Sequence, residues 1–366
     1  MSGYKVPFNG LGRQYASLKE ELLHAADLVY SSGRVLDGEY TAKFEQAIAT
    51  RTDRTYAISV SSCSQALLVS MMAYAGHDTS KKVAVPALSF AATANASVLA
   101  GRNIQFIDTD TDGILDISKL DGSHIGIILY VNLFGNVIDY DKLKLVSDFF
   151  NDSIPIIEDA AQSFGAYYKG KPSGKLGDIS CLSFDPTKNL PNYGSGGMVL
   201  TDNDDVAAYV KSFKDNGKQS SHWMVGTNSK MSEADCAQML VKLKYFDQWQ
   251  ARRAKIAAYY ADNLSDIVSV PEYSFDVIPS WHKYVITTVD NRDDLASKLL
   301  TYGVETKVHY KTLMPDMPVF RYDGNIPFPA ADAISNTALS LPIYPELTDV
   351  DVEHVAASIR SVFLNK

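Results

Sequence analysis

Asp159 closes the apolar run SIPIIED, and Lys188 comes just after a second such run, DISCLSF, in the stretch SFDPTKNL. Open α/β sheets place their ligands at the carboxyl ends of parallel strands, so an acid and an amine at adjacent strand ends can meet across a pocket. That pairing has a definite chemical use. An amine forms a Schiff base with an aldehyde, and a carboxylate beside a pyridine nitrogen keeps it protonated, which makes the ring an electron sink. Pyridoxal phosphate (PLP) offers both partners. Lys188 would hold it, give way to a donor amine and afterwards shuttle a proton as the neutral amine. Taken singly, each residue has a commoner explanation: a lysine after a strand is usually solvated, and an aspartate there is usually a helix cap.

A phosphate needs a seat of its own. Ser62, Cys63 and Ser64 open the segment SCSQALLVSMMAYAG, which reads as a helix from Ser62 to Gly76. Its first turn offers N–H groups and the positive end of a dipole. Ser183, Thr187 and the glycines of YGSGG surround Lys188 with small groups and backbone donors, as an approaching phosphate requires.

For these groups to meet, the chain must supply neighbouring parallel strands. Short runs rich in Val and Ile, namely KKVAVPAL, NIQFID, HIGIILYVNL, SIPIIED, DISCLSF and GGMVLTD, alternate with helical stretches such as FAATANASVLAG and DYDKLKLVSDFF. Their apolar residues fall at successive positions, which predicts an α/β fold with a mostly parallel sheet covered by helices on both faces. Ser232 heads SEADCAQMLVKLKYF. There Ser232 and Asp235 have capping-box spacing, and Cys236, Met239, Leu240, Leu243 and Phe246 form an apolar stripe. Beyond Trp249 the pattern changes to a long helix, a strand HKYVITTV, a helix DDLASKLLTYG, a strand VETKVHY and a terminal helix DVDVEHVAASIRSVF. The expected organisation is a large cofactor-binding domain over 1–249 and a smaller α+β domain over 250–366, with one catalytic cleft between them.

Composition narrows the partners. The 34 basic and 43 acidic residues give a net charge of −9, which argues against a nucleic-acid binder that must neutralise many phosphates. No stretch approaches the ~20 apolar residues of a membrane span, and the start MSGYKVPFNGLGRQYASLK lacks a signal-like apolar core, so a cytoplasmic protein is expected. Cys63, Cys181 and Cys236 are odd in number and widely spaced, which indicates neither a disulfide framework nor a zinc site.

The stretches EDAAQSFGA, SFDPTKNL, YGSGG, SCSQAL and PALSFAAT together resemble the DegT/StrS family of PLP-dependent nucleotide-sugar aminotransferases. The likeness continues through GRVLDGEYTAKFE, GTNSKMSEADCAQ and TKVHY, in the family's order. It implies the fold-type I architecture of aspartate aminotransferase and a homodimer with shared active sites. It also implies that Lys188 is the Schiff-base lysine, that Asp159 pairs with the pyridine nitrogen and that Gln162 lies near the ring hydroxyl. Phe90 matches the aromatic that stacks on the cofactor, and Ser183 with the amides of Cys63 and Ser64 matches the phosphate cradle. Asn228 matches a residue that reaches the phosphate from the neighbouring subunit. His309 and Tyr310 match a substrate-facing segment, Tyr193 is expected near the pocket mouth, and Lys230 stands where relatives commonly have arginine.

The reaction implied takes an amino group from an amino acid, with glutamate the expected donor, to a keto group on a UDP- or dTDP-linked hexose. The PTKNL wording leans toward relatives acting at C3. The product would be an amino sugar for a surface glycan or a glycosylated metabolite. Cys63, Ser195 and Asn216 depart from the residues usual at their positions, and Cys63 fits the phosphate turn if its φ stays negative. Two alternatives keep the fold. One is a PLP-dependent sugar dehydratase, whose known examples replace the lysine by histidine; the other is a non-catalytic sugar-nucleotide-binding protein.

Overall fold

The computed structural model describes residues 5–74, 80–150, 153–218, 221–288, 291–320 and 326–364. Its helices are α1 Leu11–Ser32, α2 Glu39–Arg51, α3 Cys63–Ala73, α4 Ala92–Leu99, α5 Tyr140–Phe149, α6 Asp204–Phe213, α7 Glu233–Leu243, α8 Phe246–Leu264, α9 Arg292–Thr301, α10 Pro329–Thr337 and α11 Asp349–Leu364. The strands of the first half are β1 Tyr56–Val60, β2 Lys82–Pro86, β3 Ile104–Ile107, β4 Ile125–Val131 and β5 Ile156–Asp159. They are followed by β6 Tyr167–Tyr168, β7 Lys171–Pro172, β8 Ile179–Ser183, β9 Gly197–Thr201, β10 Val277–Ile278, β11 Tyr284–Thr287 and β12 Ala338–Leu341.

Seven strands make one sheet in the order β1-β9-β8-β5-β4-β2-β3. β2, β3, β4, β5 and β8 run parallel, while β9 is antiparallel to both β8 and β1. The apolar runs explain this arrangement: every residue of β5, β8 and β9 is buried, as strands with helices on both faces must be. The architecture is the mostly parallel, helix-flanked sheet expected of fold-type I. β5 pairs with β8 so that Asp159 stands opposite Cys181, which brings the end of β5 beside the end of β8 and the loop carrying Lys188.

The main core packs β1 to β5 against helices on the sheet faces, with Ile58, Val85, Ile128 and Ile157 at its centre. A second core gathers Ile256, Tyr260 and Leu264 of α8, β11 and β12, and Val355 and Ile359 of α11. Helix α8 joins the two regions. Its first residue, Phe246, packs on Phe164 at 4.8 Å between ring centroids, and its later turns enter the second core. The boundary expected between 249 and 250 therefore falls inside a continuous helix. The N-terminal segment also crosses over: Val6 lies in the second core, and its amide donates to the Gly303 carbonyl at 3.0 Å.

The apolar stripe of α7 faces the core, and the Ser232 hydroxyl caps it by accepting from the Asp235 amide at 3.1 Å. The VETKVHY segment does not form the expected strand. It makes isolated bridges, Val6 with Val304 and Lys307 with Ser340, because β12 takes the place beside β11. Strand β1 and the α10–β12 unit were not anticipated: YAISV is short and interrupted by Ser59, and PAADAISNTALSL reads continuously as a helix. Helix α3 ends at Ala73, and the expected stop at Gly76 lies outside the described residues. No helix among the described residues is long and apolar enough to cross a membrane.

Candidate active site

A cavity of about 440 Å³ opens at the carboxyl ends of β4, β5 and β8. The large half of the chain contributes Asp159, Gln162, Ser183, Lys188, the opening of α3 from Ser62 to Ser64, and Phe90 and Thr93. The far half contributes His282, Lys283, Lys307, His309 and Tyr310, and the N-terminal segment contributes Phe8 and Asn9. Nine expected site residues thus share one space: Cys63, Ser64, Phe90, Asp159, Gln162, Ser183, Lys188, His309 and Tyr310.

Two consecutive carboxylates end β5, and strand alternation sends them to opposite faces. Glu158 is fully buried and accepts from Asn132 Nδ2 at 2.8 Å, Ser173 Oγ at 2.8 Å, the Leu176 amide at 2.9 Å and Ser180 Oγ at 2.6 Å. Its neighbour Asp159 turns to the cavity. There Thr93 Oγ1 donates to Oδ2 at 2.9 Å and the Ala161 amide donates to Oδ1 at 3.1 Å. Burial pushes the Asp159 carboxyl above the usual range, while these two donors and the charge of Lys188 pull it back. A carboxylate has more lone pairs than these two bonds use, so it can still accept from a ring N–H.

Lys188 sits on a loop tied down at several points. Its amide donates to Asp185 O at 2.9 Å, and Asn189 Nδ2 donates to Ser280 O at 2.8 Å. Further along, Lys242 Nζ donates to Pro191 O at 2.6 Å. The Lys188 ammonium itself makes no hydrogen bond or ion pair among the described residues. It is a positioned amine with a free head.

The opening of α3 fits a phosphate. Ser62 caps the helix by accepting from the Gln65 amide at 3.1 Å, which leaves the amides of Cys63 and Ser64 without a backbone partner among the described residues. A Cβ on Gly197 would stand 2.3 Å from the Ser62 carbonyl carbon, so only glycine lets the start of β9 pass this close behind the turn. Cys63 keeps a negative φ, as its place in the turn required. Burial first, and the charge of Asp159 next, push its thiol far up, so it adds no negative charge beside a phosphate.

The remaining walls are aromatic and basic. Phe90 is 60% exposed at the cavity edge, with the Tyr310 ring 6.3 Å away, and its open face suits stacking on a π-surface. Gln162 is fixed from both ends: its Oε1 accepts from the Phe134 amide at 3.0 Å and its Nε2 donates to Tyr310 Oη at 3.2 Å. His309 pairs through Nδ1 with Ser340 Oγ at 2.8 Å, and burial, reinforced by Lys283 and Lys188, holds its ring down at about 3. It is a neutral imidazole at neutral pH. Burial, then the charges of Lys188 and Arg253, hold the Lys283 ammonium down at about 7.

Three expected residues lie off the cavity wall. Tyr193 is turned into a contact with Tyr15, at 5.9 Å between centroids, with Lys242 Nζ 3.5 Å from its ring centre. Lys230 is drawn into an ion pair with Asp215 at 2.5 Å. Asn228 is exposed, with its backbone bridged to Asp215. Conversely, sequence reasoning missed Thr93, Phe8, Asn9, Lys283 and Lys307. Thr93 and Lys307 carried a signal, since they lie in the quoted stretches PALSFAAT and TKVHY beside Phe90 and His309; Phe8, Asn9 and Lys283 carried none.

Comparison with known proteins gives a consistent result. The model of the DegT/DnrJ/EryC1/StrS aminotransferase family matches residues 16–360. UDP-2-acetamido-2-deoxy-3-oxo-D-glucuronate aminotransferase of Pseudomonas aeruginosa is 30% identical over 97% of this chain and 100% of its own. The structure of S. venezuelae DesV in complex with ketimine intermediate matches with a TM-score of 0.92 at 30% identity, covering 98% of both chains. NtdA from Bacillus subtilis with bound cofactor PMP matches with a TM-score of 0.90 at 27% identity, over 100% of this chain and 86% of its own.

Proposed function

Because the chain belongs to the DegT/DnrJ/EryC1/StrS aminotransferase family, a family of PLP-dependent enzymes, we propose that it moves an amino group from glutamate to the keto group of a nucleotide-linked hexose. One observation carries this reading: Lys188 and Asp159 face a single cavity that also holds the free amides of Cys63 and Ser64. The residues fit the cofactor, with an amine, a buried acid, an anion seat and an exposed aromatic face in one space. Bound PLP supplies an aldehyde for the amine and a protonated pyridine that draws electrons from the reacting carbon.

The chain's own groups supply the rest. Asp159 would hold a proton at the ring nitrogen, and Thr93 and the Ala161 amide orient its carboxylate. Cys63, Ser64 and Ser183 would hold the phosphate, Phe90 would cover a ring face and Gln162 would serve the ring hydroxyl. Lys188 would hold the aldehyde carbon of the cofactor and would take up and return the proton of the substrate carbon. Asn228 and Lys230, off the cavity in a single copy, fit a homodimer in which a second copy brings them to the phosphate and substrate. His309 and Tyr310 face the sugar, and Tyr193, which the resemblance puts at the pocket mouth, is turned toward Tyr15 and Lys242 in a single copy.

Amination at C3 is favoured by the wording PTKNL around Lys188 and by the 3-oxo sugar named for the Pseudomonas relative. The presence of Lys188 weighs against the dehydratase reading. The test is conversion of glutamate to 2-oxoglutarate in the presence of a panel of UDP- and dTDP-keto sugars, with the aminated carbon assigned by NMR. No 2-oxoglutarate with any sugar would remove the reading.

A further inference from the structure

Among the described residues three lysines are buried, and two of them have oxygen partners. Lys242 Nζ donates to Pro191 O at 2.6 Å, and Lys214 Nζ lies 3.4 Å from both Asp37 and Glu45. Lys283 is 8% exposed and has no such partner among the described residues. Its ammonium lies over the Phe8 ring at 4.9 Å from the centroid and borders the active cavity. The residue cannot easily swing away. Its amide donates to Phe134 O at 3.1 Å, it immediately precedes β11, and Phe8 is itself tied by its amide to Glu305 Oε2 at 2.9 Å.

An ammonium taken out of water without a counter-charge is unfavourable, and here the surroundings make it worse. Lys188, Arg253 and His282 lie nearby on the basic side, and Lys307, which lines the same cavity, is already paired with Glu305 at 2.7 Å. Asp185 is the carboxylate that acts in Lys283's favour. Lys283 is thus a desolvated, oriented donor facing the space where substrates enter, and it lacks an anion.

We propose that Lys283 is the carboxylate-receiving residue of the site, pairing with a carboxylate brought by the amino-acid donor or by C6 of the acceptor hexose. The proposal deepens the aminotransferase reading and rests on it. Donor chemistry guarantees one such anion, because every amino acid carries a carboxylate. The acceptor offers a second if the hexose is a uronate. In either case the ligand supplies the counter-charge that the folded chain withholds, so discrimination against neutral analogues follows from leaving Lys283 unpaired.

The experiment is calorimetric titration of the PLP-loaded protein, wild type and K283M, with glutarate, UDP-glucuronate and UDP-glucose. K283M is expected to weaken the carboxylate probe that Lys283 receives by about ten- to a hundredfold, the range for a charge-assisted hydrogen bond, and to leave UDP-glucose unchanged. Loss on glutarate assigns the donor, and loss on UDP-glucuronate assigns the acceptor. K283R should restore part of the affinity, and K283M should melt no lower than wild type, since it removes a buried charge that has no partner. Equal binding of both carboxylates by wild type and K283M, or failure of wild type to bind either, overturns the proposal. If UDP-glucose and UDP-glucuronate both fail on wild type, UDP-linked hexoses are excluded as substrates and the glutarate arm alone decides Lys283.

Discussion

Thr93, in the first turn of α4, donates its hydroxyl to Oδ2 of Asp159 at the end of β5, and the bond of 2.9 Å is buried. A helix residue thereby sets the plane of the strand-end carboxylate and favours its charged form against the burial that disfavours it. Replacing Thr93 by valine keeps the shape and removes the donor. T93V is expected to bind PLP about tenfold more weakly, read by absorbance titration of the apoprotein, with its melting temperature little changed. Unaltered PLP affinity would mean that Asp159 needs no such support.

Glu158 and Asp159 should separate stability from chemistry. E158Q puts an amide where the network presents donors, and it is expected to cost about 2–4 kcal/mol in urea unfolding. D159N should unfold near the wild-type midpoint and lower kcat by about a hundredfold or more. If both variants lost the same property to the same degree, the division of roles by strand alternation would be wrong.

Lys188 can be removed without disturbing packing, because its ammonium touches no partner among the described residues. Wild type incubated with PLP should turn yellow, and borohydride should fix the absorbance onto a peptide containing Lys188, as mass spectrometry would show. K188A should fold normally and carry no fixed label. A label on a different lysine would displace Lys188 from its assigned place.

The Lys283 ammonium is held at about 7, against an ordinary 10.5, by burial and by the cations around it. Between these values the unfolded chain binds the proton more tightly than the folded one, so this group makes stability rise with pH across that window and disfavours folding fully below it. Urea unfolding of wild type at pH 7 and pH 9.5 should show this rise, and K283M should show less of it. Carboxylate binding should also draw in a proton when measured above pH 7, a quantity read from calorimetry in buffers of different ionisation enthalpy. Lys188, Arg253, His282, His309 and Lys307 face the same region with Asp185, so the comparison with K283M isolates the contribution of Lys283.

The parallel strands were legible because burial on both faces writes itself as unbroken apolar runs, as in IGIILYV and SIPIIED. The acid and amine at their ends were legible for the same reason, since strand ends fix where ligands sit. What escaped depends on contacts between distant segments. Nothing local distinguishes Lys283 from a solvated lysine at a strand start; its ammonium lies over Phe8, which folds back from the far end of the chain. The segment VETKVHY has strand composition, yet β12 occupies the edge it would have used. Tyr193 lies close in sequence to the lysine loop but is turned toward Tyr15 and Lys242, a direction that sequence proximity cannot reveal.

Helix α8 runs unbroken from Phe246 in one hydrophobic centre to Leu264 in the other, so a cut at the expected boundary passes through its first turn. A chain severed between 249 and 250 would leave Lys188 on one piece and Tyr310 on the other, and would part Val6 from the second core it helps to fill. Any activity of such a pair would depend on their reassembly, and would therefore vary with the concentration at which the pieces are mixed.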